Sequence, residues 1–316
     1  MTARDRLRAL LAEEISQPAP DAAQRLAAAI RARHGAGIAA IVFYGSCLRQ
    51  PGGTAEERVF DFYVIVDGYR AFYRGLAAAA LNRWLPPNVF HVTAEADGRM
   101  LRGKYAVVAS EHLRRLVSRG RFEPYFWARF AQPTRVVYAR DDGATTAVVE
   151  ALADAVATLL ERVAPLLPTR FSPMALWVGA FRQTYAAELR AERGDRAEAI
   201  YRADAERYRA LTEPALAAAG FKPRALADGT VALDRPPAAG WGPRRAWALR
   251  RWQGKLLSVA RLAKAVFTFE AGLDYILWKI ERHSGVRTEV TDWQRRHPLL
   301  AAPALAWRLY RRGAFR

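Results

Sequence analysis

Cysteine and negative charge are what this chain has least of. Its one cysteine, Cys47, rules out an intramolecular disulfide and points to a reducing compartment. Asp and Glu number 31 against 49 Lys and Arg, giving a formal net charge of +18. Such an excess suits anionic partners: nucleotides, nucleic acid or an acidic membrane surface. Nearly all the bases are Arg, a bias that genome composition produces unaided, so charge does not choose among these partners. No apolar run reaches the length of a bilayer-spanning helix. Residues 1–20 mix Arg with Asp5, Glu13 and Glu14, which fits neither a signal peptide nor a transit peptide.

Several signatures are also missing. Neither GxGxxG nor GxxxxGK[ST] occurs, which removes the two commonest phosphate loops. The five histidines show no zinc spacing, and no GxSxG elbow supports a serine nucleophile at Ser46. Without an RNP, KH or zinc-finger pattern, no stable nucleic-acid partner is expected. Cys47 has no sequence-neighbouring His and receives no catalytic role.

What remains is a soluble chain of 316 residues, 52% hydrophobic and 25% charged, long enough for more than one domain. Residues 21–34 read as a helix with Asp21 as N-cap and Gly35 past its end. Residues 38–44 (IAAIVFY) read as a buried strand, followed by Gly45-Ser46 and a Gly-rich, charged loop. Strands are expected at 59–66, 88–95 and 103–109, with Asp97-Gly98 as a hairpin turn and a helix over 69–84. Ser110 is read as capping a short helix, and 134–140 as an edge strand. Helices dominate from 143, with Ser172-Pro173 opening one and 195–219 forming another. A hairpin follows at 222–234, then a linker, 235–243. The expected class is α+β: a mixed sheet with flanking helices over 1–141, a helical, winged-helix-like domain over 142–234, and basic C-terminal helices over 235–316.

The segment 59–67, VFDFYVIVD, carries the chemistry. Alternation puts Asp61, Tyr63, Ile65 and Asp67 on one strand face and Phe60, Phe62, Val64 and Val66 on the other. An ionised carboxylate inside such a run costs several kcal/mol unless paired or bound to metal. A salt bridge to a neighbouring Arg would satisfy Asp61 taken alone. The preceding strand, however, ends in Gly45-Ser46, where amides and a hydroxyl can cradle phosphate oxygens.

Strand, Gly-Ser turn, then a strand with an embedded carboxylate resembles the nucleotidyltransferase superfamily that includes DNA polymerase beta. There the turn holds the triphosphate and carboxylates on the next strand hold magnesium. That superfamily usually spaces two carboxylates by one residue; here position 63 is Tyr. Asp67 shares the face of Asp61 but lies about 20 Å further along an extended strand, so one ion reaches both only if the chain bends.

The single-Asp form is similar to the mitochondrial translocator assembly and maintenance family of phosphatidate cytidylyltransferases. YGSCLRQ (44–50), FDFYVIVD (60–67), KYAVV (104–108) and YFWARFAQP (125–133) carry the likeness, with Ser258, Lys264 and Thr268 as weaker echoes. Phe72-Tyr73, Ala128 and Ala131-Gln132 stand where the family has Trp-His, Gly and His-Lys. The resemblance implies that Mg2+ and CTP bind at Asp61 and Asp67 and at Tyr44, Gly45, Ser46, Lys104 and Arg129. It also implies that Ser258, Arg261 and Lys264 contact lipid or phosphate. The implied reaction converts CTP and phosphatidate to CDP-diacylglycerol and pyrophosphate.

Residues 244–316 carry roughly three bases per acid, interleaved with Trp247, Trp252, Trp278, Trp293 and Trp307. Basic, aromatic amphipathic helices suit a membrane interface, so the expected location is cytoplasmic and peripheral, on the inner face of an anionic membrane. Two other readings stay open. One is a nucleotidyltransferase acting on a small molecule or an RNA end. The other is a non-enzymatic basic protein that binds RNA or membrane.

Overall fold

Strand β1 (Ile38–Tyr44) is buried almost throughout, because helices cover both faces of the sheet it centres. The computed structural model describes residues 1–49, 58–73, 75–96, 98–189, 196–234, 241–268, 288–296 and 298–312. The loop at 50–57, Asp97, Trp278 and most of the linker lie outside the described residues. Next to β1 runs β2 (Val59–Val66), antiparallel, with Tyr44 opposite Asp61 and Phe43 opposite Phe62. The hairpin of β3 (Asn88–Ala96) and β4 (Arg99–Ala109) adds beside it, β4 running parallel to β2. Strand β5 (Thr134–Ala139) pairs antiparallel with β1 and closes the other edge. The result is a mixed sheet, ordered β3-β4-β2-β1-β5.

Alternation then sorts the side chains. Phe60, Phe62, Val64 and Val66 join a core under helix α2 (Asp21–His34). Tyr63 and Ile65 face a larger core built from α1 (Ala3–Ser16), α6 (Ser110–Val117), α7 (Tyr125–Phe130) and α8 (Asp142–Val163). Three short helices, α3 (Ser46–Arg49), α4 (Tyr69–Phe72) and α5 (Leu76–Trp84), fill the connections near β2.

Beyond α8 come β6 (Arg170–Phe171) and α9 (Pro173–Ala186), then α10 (Arg196–Ala203) and α11 (Ala205–Ala218). Strands β7 (Pro223–Ala225) and β8 (Val231–Leu233) follow, and β8 sits between β6 and β7 in a small antiparallel sheet. Helices α12 (Trp241–Thr268), α13 (Asp292–Arg296) and α14 (Pro298–Arg311) end the description. One buried cluster runs from Leu7 through Tyr63 and Leu152 to Trp177, Tyr208 and Trp247, across the boundary expected at 141/142. Helix α8 explains this continuity. It is part of the one stretch among the described residues, Asp142–Leu166, long and apolar enough to cross a bilayer, and 67% of that window is buried in the protein. Its apolar length serves the shared core.

Several local expectations needed correction. Helix α1 was not legible from apolar spacing, although Thr2 and Asp5 form a reciprocal capping box at its start. Pro20, not Asp21, caps α2, and Ala109 precedes α6, whose first residue is Ser110. The helix expected over 69–84 is two helices, with extended Gly75 opening the second. The 195–219 helix breaks at Asp204. Ser172 does cap α9, accepting from the Ala175 amide at 3.1 Å.

The N-terminal helix is pinned by one buried carboxylate. Glu14 accepts from the Arg207 guanidinium on α11 and from the Thr134 amide of β5 at 2.9 Å. Removing it strands both a buried cation and a strand-end amide. Glu14→Ala is expected to cost about 3–5 kcal/mol of stability, as for other broken buried pairs. Urea denaturation measures this, and Glu14→Gln, which keeps an acceptor, should lose less.

Candidate functional site

The β1–β2 register brings the Gly-Ser turn and the strand carboxylate together. Tyr44 is the last residue of β1 and lies opposite Asp61. Gly45 then turns the chain with φ +95°, a conformation that L side chains rarely adopt. A Cβ at Gly45 would lie 2.9 Å from Asp61 Oδ2 and 3.2 Å from its Cβ. The carboxylate therefore rests directly on the turn, and the glycine is required twice over, by its dihedral and by its neighbour. Ser46 follows, exposed, as the first residue of α3.

On the other side of Asp61 stands Lys104, its register partner on the parallel strand β4. Lys104 Nζ lies 3.1 Å from Asp61 Oδ1, with side-chain exposures of 39% and 18%. A pair this open to water contributes about 0–1 kcal/mol, so little opposes its exchange for another partner. Two further guanidiniums flank the turn. Arg58 donates to the Ser46 carbonyl at 3.3 Å, and Arg49, on α3, donates to Gln132 Oε1 at 2.7 Å. Sequence reasoning did not single out Arg49 or Arg58. The signal was present for Arg49, which follows Ser46 by three residues on one helical turn.

Tyr63 occupies the position where a second carboxylate was looked for. Its ring stacks on Tyr44 with centroids 5.0 Å apart and packs on Phe130 at 4.8 Å. Its hydroxyl is buried without a hydrogen-bond partner among the described residues, and burial above all pushes its pKa well above the ordinary value. It is no base near neutral pH. Cys47 is buried, its thiol donating to the Val59 carbonyl, and burial pushes the thiol up too.

Among the described residues, no hydrogen bond or ion pair joins Asp67 or Arg129 to Asp61. Asp67 follows the far end of β2, six positions on from Asp61, and is held by Arg140 at 2.6 and 3.1 Å. The strand does not fold back, so the two carboxylates do not share an ion. Arg129 is enclosed by Glu188 in a two-pronged pair at 2.7 and 2.9 Å and stacks on the Tyr125 ring at 3.6 Å. Burial opposes its charge, but Glu188 more than offsets this and holds its pKa well above the ordinary range. Its charge is spent on Glu188, not offered to a phosphate.

Two of the three C-terminal candidates, Arg261 and Lys264, fasten α12 to the body. Ser258 donates to the Gly254 carbonyl one turn back. Arg261 grips Glu123 at 2.6 and 3.0 Å, donates to the Pro86 carbonyl, and covers the face of Tyr125 opposite a second cation, Arg129. Lys264 donates to the Leu85 and Pro87 carbonyls.

Magnesium is ordinarily held by one or two carboxylates together with substrate phosphates. Among the described residues no three His, Cys, Asp or Glu converge on a point. Asp61 alone fits an ion that arrives with a nucleotide rather than one resident in a protein cage.

Two measurements follow from this geometry. Gly45→Ala should lower stability by about 1–3 kcal/mol, the cost of a non-glycine residue in such a conformation. The penalty should shrink in an Asp61→Ala background, because the carboxylate oxygen, the nearest clashing atom, is gone; a double-mutant cycle reads the coupling. Burial first, then Arg261, lowers the Lys264 pKa from 10.5 to about 7. Below about 7 both folded and unfolded states carry the proton, and the full cost of burying the charge is present. Between about 7 and 10.5 the unfolded chain binds more protons, so stability should rise with pH across that window. Lys264→Met should flatten the rise.

Compared with known proteins, the chain matches no family model and no curated protein.

Proposed function

We propose that this protein transfers a cytidylyl group from CTP to phosphatidate, giving CDP-diacylglycerol and pyrophosphate at a membrane surface, with magnesium. One observation carries the transferase part: the Asp61 carboxylate lies against Gly45, beside the exposed Ser46 and within reach of Lys104. An anion-binding turn and a hard oxygen ligand in contact suit a metal–triphosphate. Cytidine and the lipid acceptor rest on the family resemblance.

In the proposed reaction a phosphatidate oxygen attacks the α-phosphorus of CTP. The new P–O bond forms as the bond to the bridging oxygen breaks, and pyrophosphate leaves with that electron pair. Asp61 would hold the magnesium, which when bound neutralises phosphate charge and orients the displacement. The Ser46 hydroxyl donates to the triphosphate. Lys104 moves its charge from Asp61 to a phosphate oxygen, an exchange made cheap by the exposure of the pair.

Tyr at position 63, in place of a second carboxylate, favours an acceptor that needs no base. A phosphate monoester is already largely dianionic near neutral pH, since its second pKa is about 6, and needs no deprotonation. A sugar or RNA hydroxyl does need one, and Tyr63 has no means of supplying it. A purely binding role leaves the Asp61–Gly45 contact without a task.

The test is release of labelled pyrophosphate from CTP in the presence of phosphatidate vesicles, with and without magnesium. Asp61→Asn should fold and abolish release, since it removes the anionic ligand at nearly constant volume. Ser46→Ala should weaken CTP binding by about 1.5–3 kcal/mol, the usual loss for a hydrogen bond to a charged group. Near-normal turnover by folded Asp61→Asn would remove the mechanism.

A further inference from the structure

Helix α12 has two faces, and the inner one is fastened along its length. Trp247 donates to the Arg162 carbonyl at 2.9 Å, and Arg250 donates to the Phe122 carbonyl at 3.0 Å. A Cβ on Gly254 would lie 2.2 Å from the Ala187 carbonyl oxygen, so only glycine allows the helix this close to the end of α9. Arg261 and Lys264 complete the attachment on Glu123 and the Pro86-Pro87 segment. At 100° per residue these positions share one side of the helix.

The opposite side carries Leu249, Trp252, Leu256, Val259 and Leu262, exposed by 61, 67, 50, 53 and 56%. Five large apolar side chains in line, each at least half in water, are not the scattered surface residues of an ordinary protein. Between Trp241 and Thr268 stand seven Arg or Lys and no Asp or Glu. Of these, Arg244, Arg245 and Lys255 are exposed along the stripe.

We propose that this outward stripe is a membrane-docking surface, and that α12 lies in the interface of an anionic bilayer with Trp252 and Leu256 at its centre. The inference deepens the proposed function, because a lipid acceptor must be met at its membrane. On this reading Arg261 and Lys264 face the protein, and Trp252, Leu256, Val259 and Leu262 face lipid. Charge selects the occupant. An apolar stripe on a helix whose charged residues are all bases matches an anionic headgroup layer, which attracts each Lys or Arg while the acyl boundary receives the apolar side chains. A second copy of the chain would set base against base along the same seam. Trp252 suits the headgroup level, where an apolar ring with one N–H is best accommodated.

The experiment uses the full chain and vesicles of phosphatidylglycerol in phosphatidylcholine, which contain no phosphatidate, so binding is read independently of turnover. The wild type should bind these vesicles and bind pure phosphatidylcholine at least tenfold more weakly. Trp252→Glu with Leu256→Glu should reduce binding to the anionic vesicles at least tenfold. The thermal midpoint and pyrophosphate release with a water-soluble short-chain phosphatidate should stay unchanged. A second readout needs no destabilising change: Leu256→Cys labelled with an environment-sensitive dye should shift to the blue on the anionic vesicles, the native Cys47 being buried. Unchanged vesicle binding by the folded double variant, or an unshifted dye, overturns the proposal. So does a wild-type dimer, seen by sedimentation without vesicles, that the double variant dissolves. Vesicle binding by a protein that releases no pyrophosphate supports the surface and overturns the transferase reading instead.

Discussion

In a sheet the side-chain period is two, so a slip of one residue between β1 and β2 would carry every side chain of β2 to the other face. The register that sets Tyr44 opposite Asp61 therefore decides more than a pairing. It sends Phe60, Phe62, Val64 and Val66 under α2, Tyr63 and Ile65 under α7 and α8, and leaves Asp61 at the open end of the strand against Gly45. The two cores and the site are three consequences of one alignment. The pattern of β2 enforces that alignment, because the slipped alternative would carry Asp61 into the apolar core under α2 and drive Phe60 and Phe62 into a face packed for other side chains.

Buried guanidinium–carboxylate pairs then join the helices. Glu14–Arg207 ties α1 to α11, Arg129–Glu188 ties α7 to the end of α9, and Arg261–Glu123 ties α12 to the segment before α7. All six side chains are at most 13% exposed. Each guanidinium is planar and offers donors in a fork, which suits a two-pronged grip that an ammonium does not match. Tyr125 lies between Arg129 and Arg261, so two of these pairs meet at one ring. Such pairs cost desolvation and add little net stability, but breaking one leaves a charge stranded. They set the positions of elements that the apolar cores alone would allow to slide.

This arrangement shows how part of a large basic excess is used inside the protein. Arg129 and Arg261, both suggested by the sequence likeness, are consumed by internal carboxylates. Lys104, in a half-exposed pair, is the cation whose partner is most easily exchanged. The exposed bases of α12 face outward beside an apolar stripe. The same residue type thus serves as internal fastening, as a site charge and as a surface rim, according to burial and partner.

Much of the sheet was legible in the sequence because it is written in local terms. The apolar run at 38–44, the alternation of 59–66 and the hairpin turn before Arg99 each reflect a period or a turn within a few residues. Asp61 and the Gly45-Ser46 turn stood out for the same reason: a carboxylate in an apolar strand and a glycine at a strand end are local anomalies. The contact between them, the partner of Arg129, the fate of Asp67 and the orientation of α12 were decided only by tertiary structure. Glu188, Glu123 and Arg140 are each distant in sequence from, or on a different element than, the side chain they hold. No periodicity reports a carboxylate that arrives from another helix. Along α12, Arg and Lys punctuate both faces alike, so spacing does not tell which face is inner. The Gly254–Ala187 approach and the grip of Arg261 and Lys264 on the Pro86-Pro87 segment settle it, because they turn one side to the protein and leave the other to the solvent.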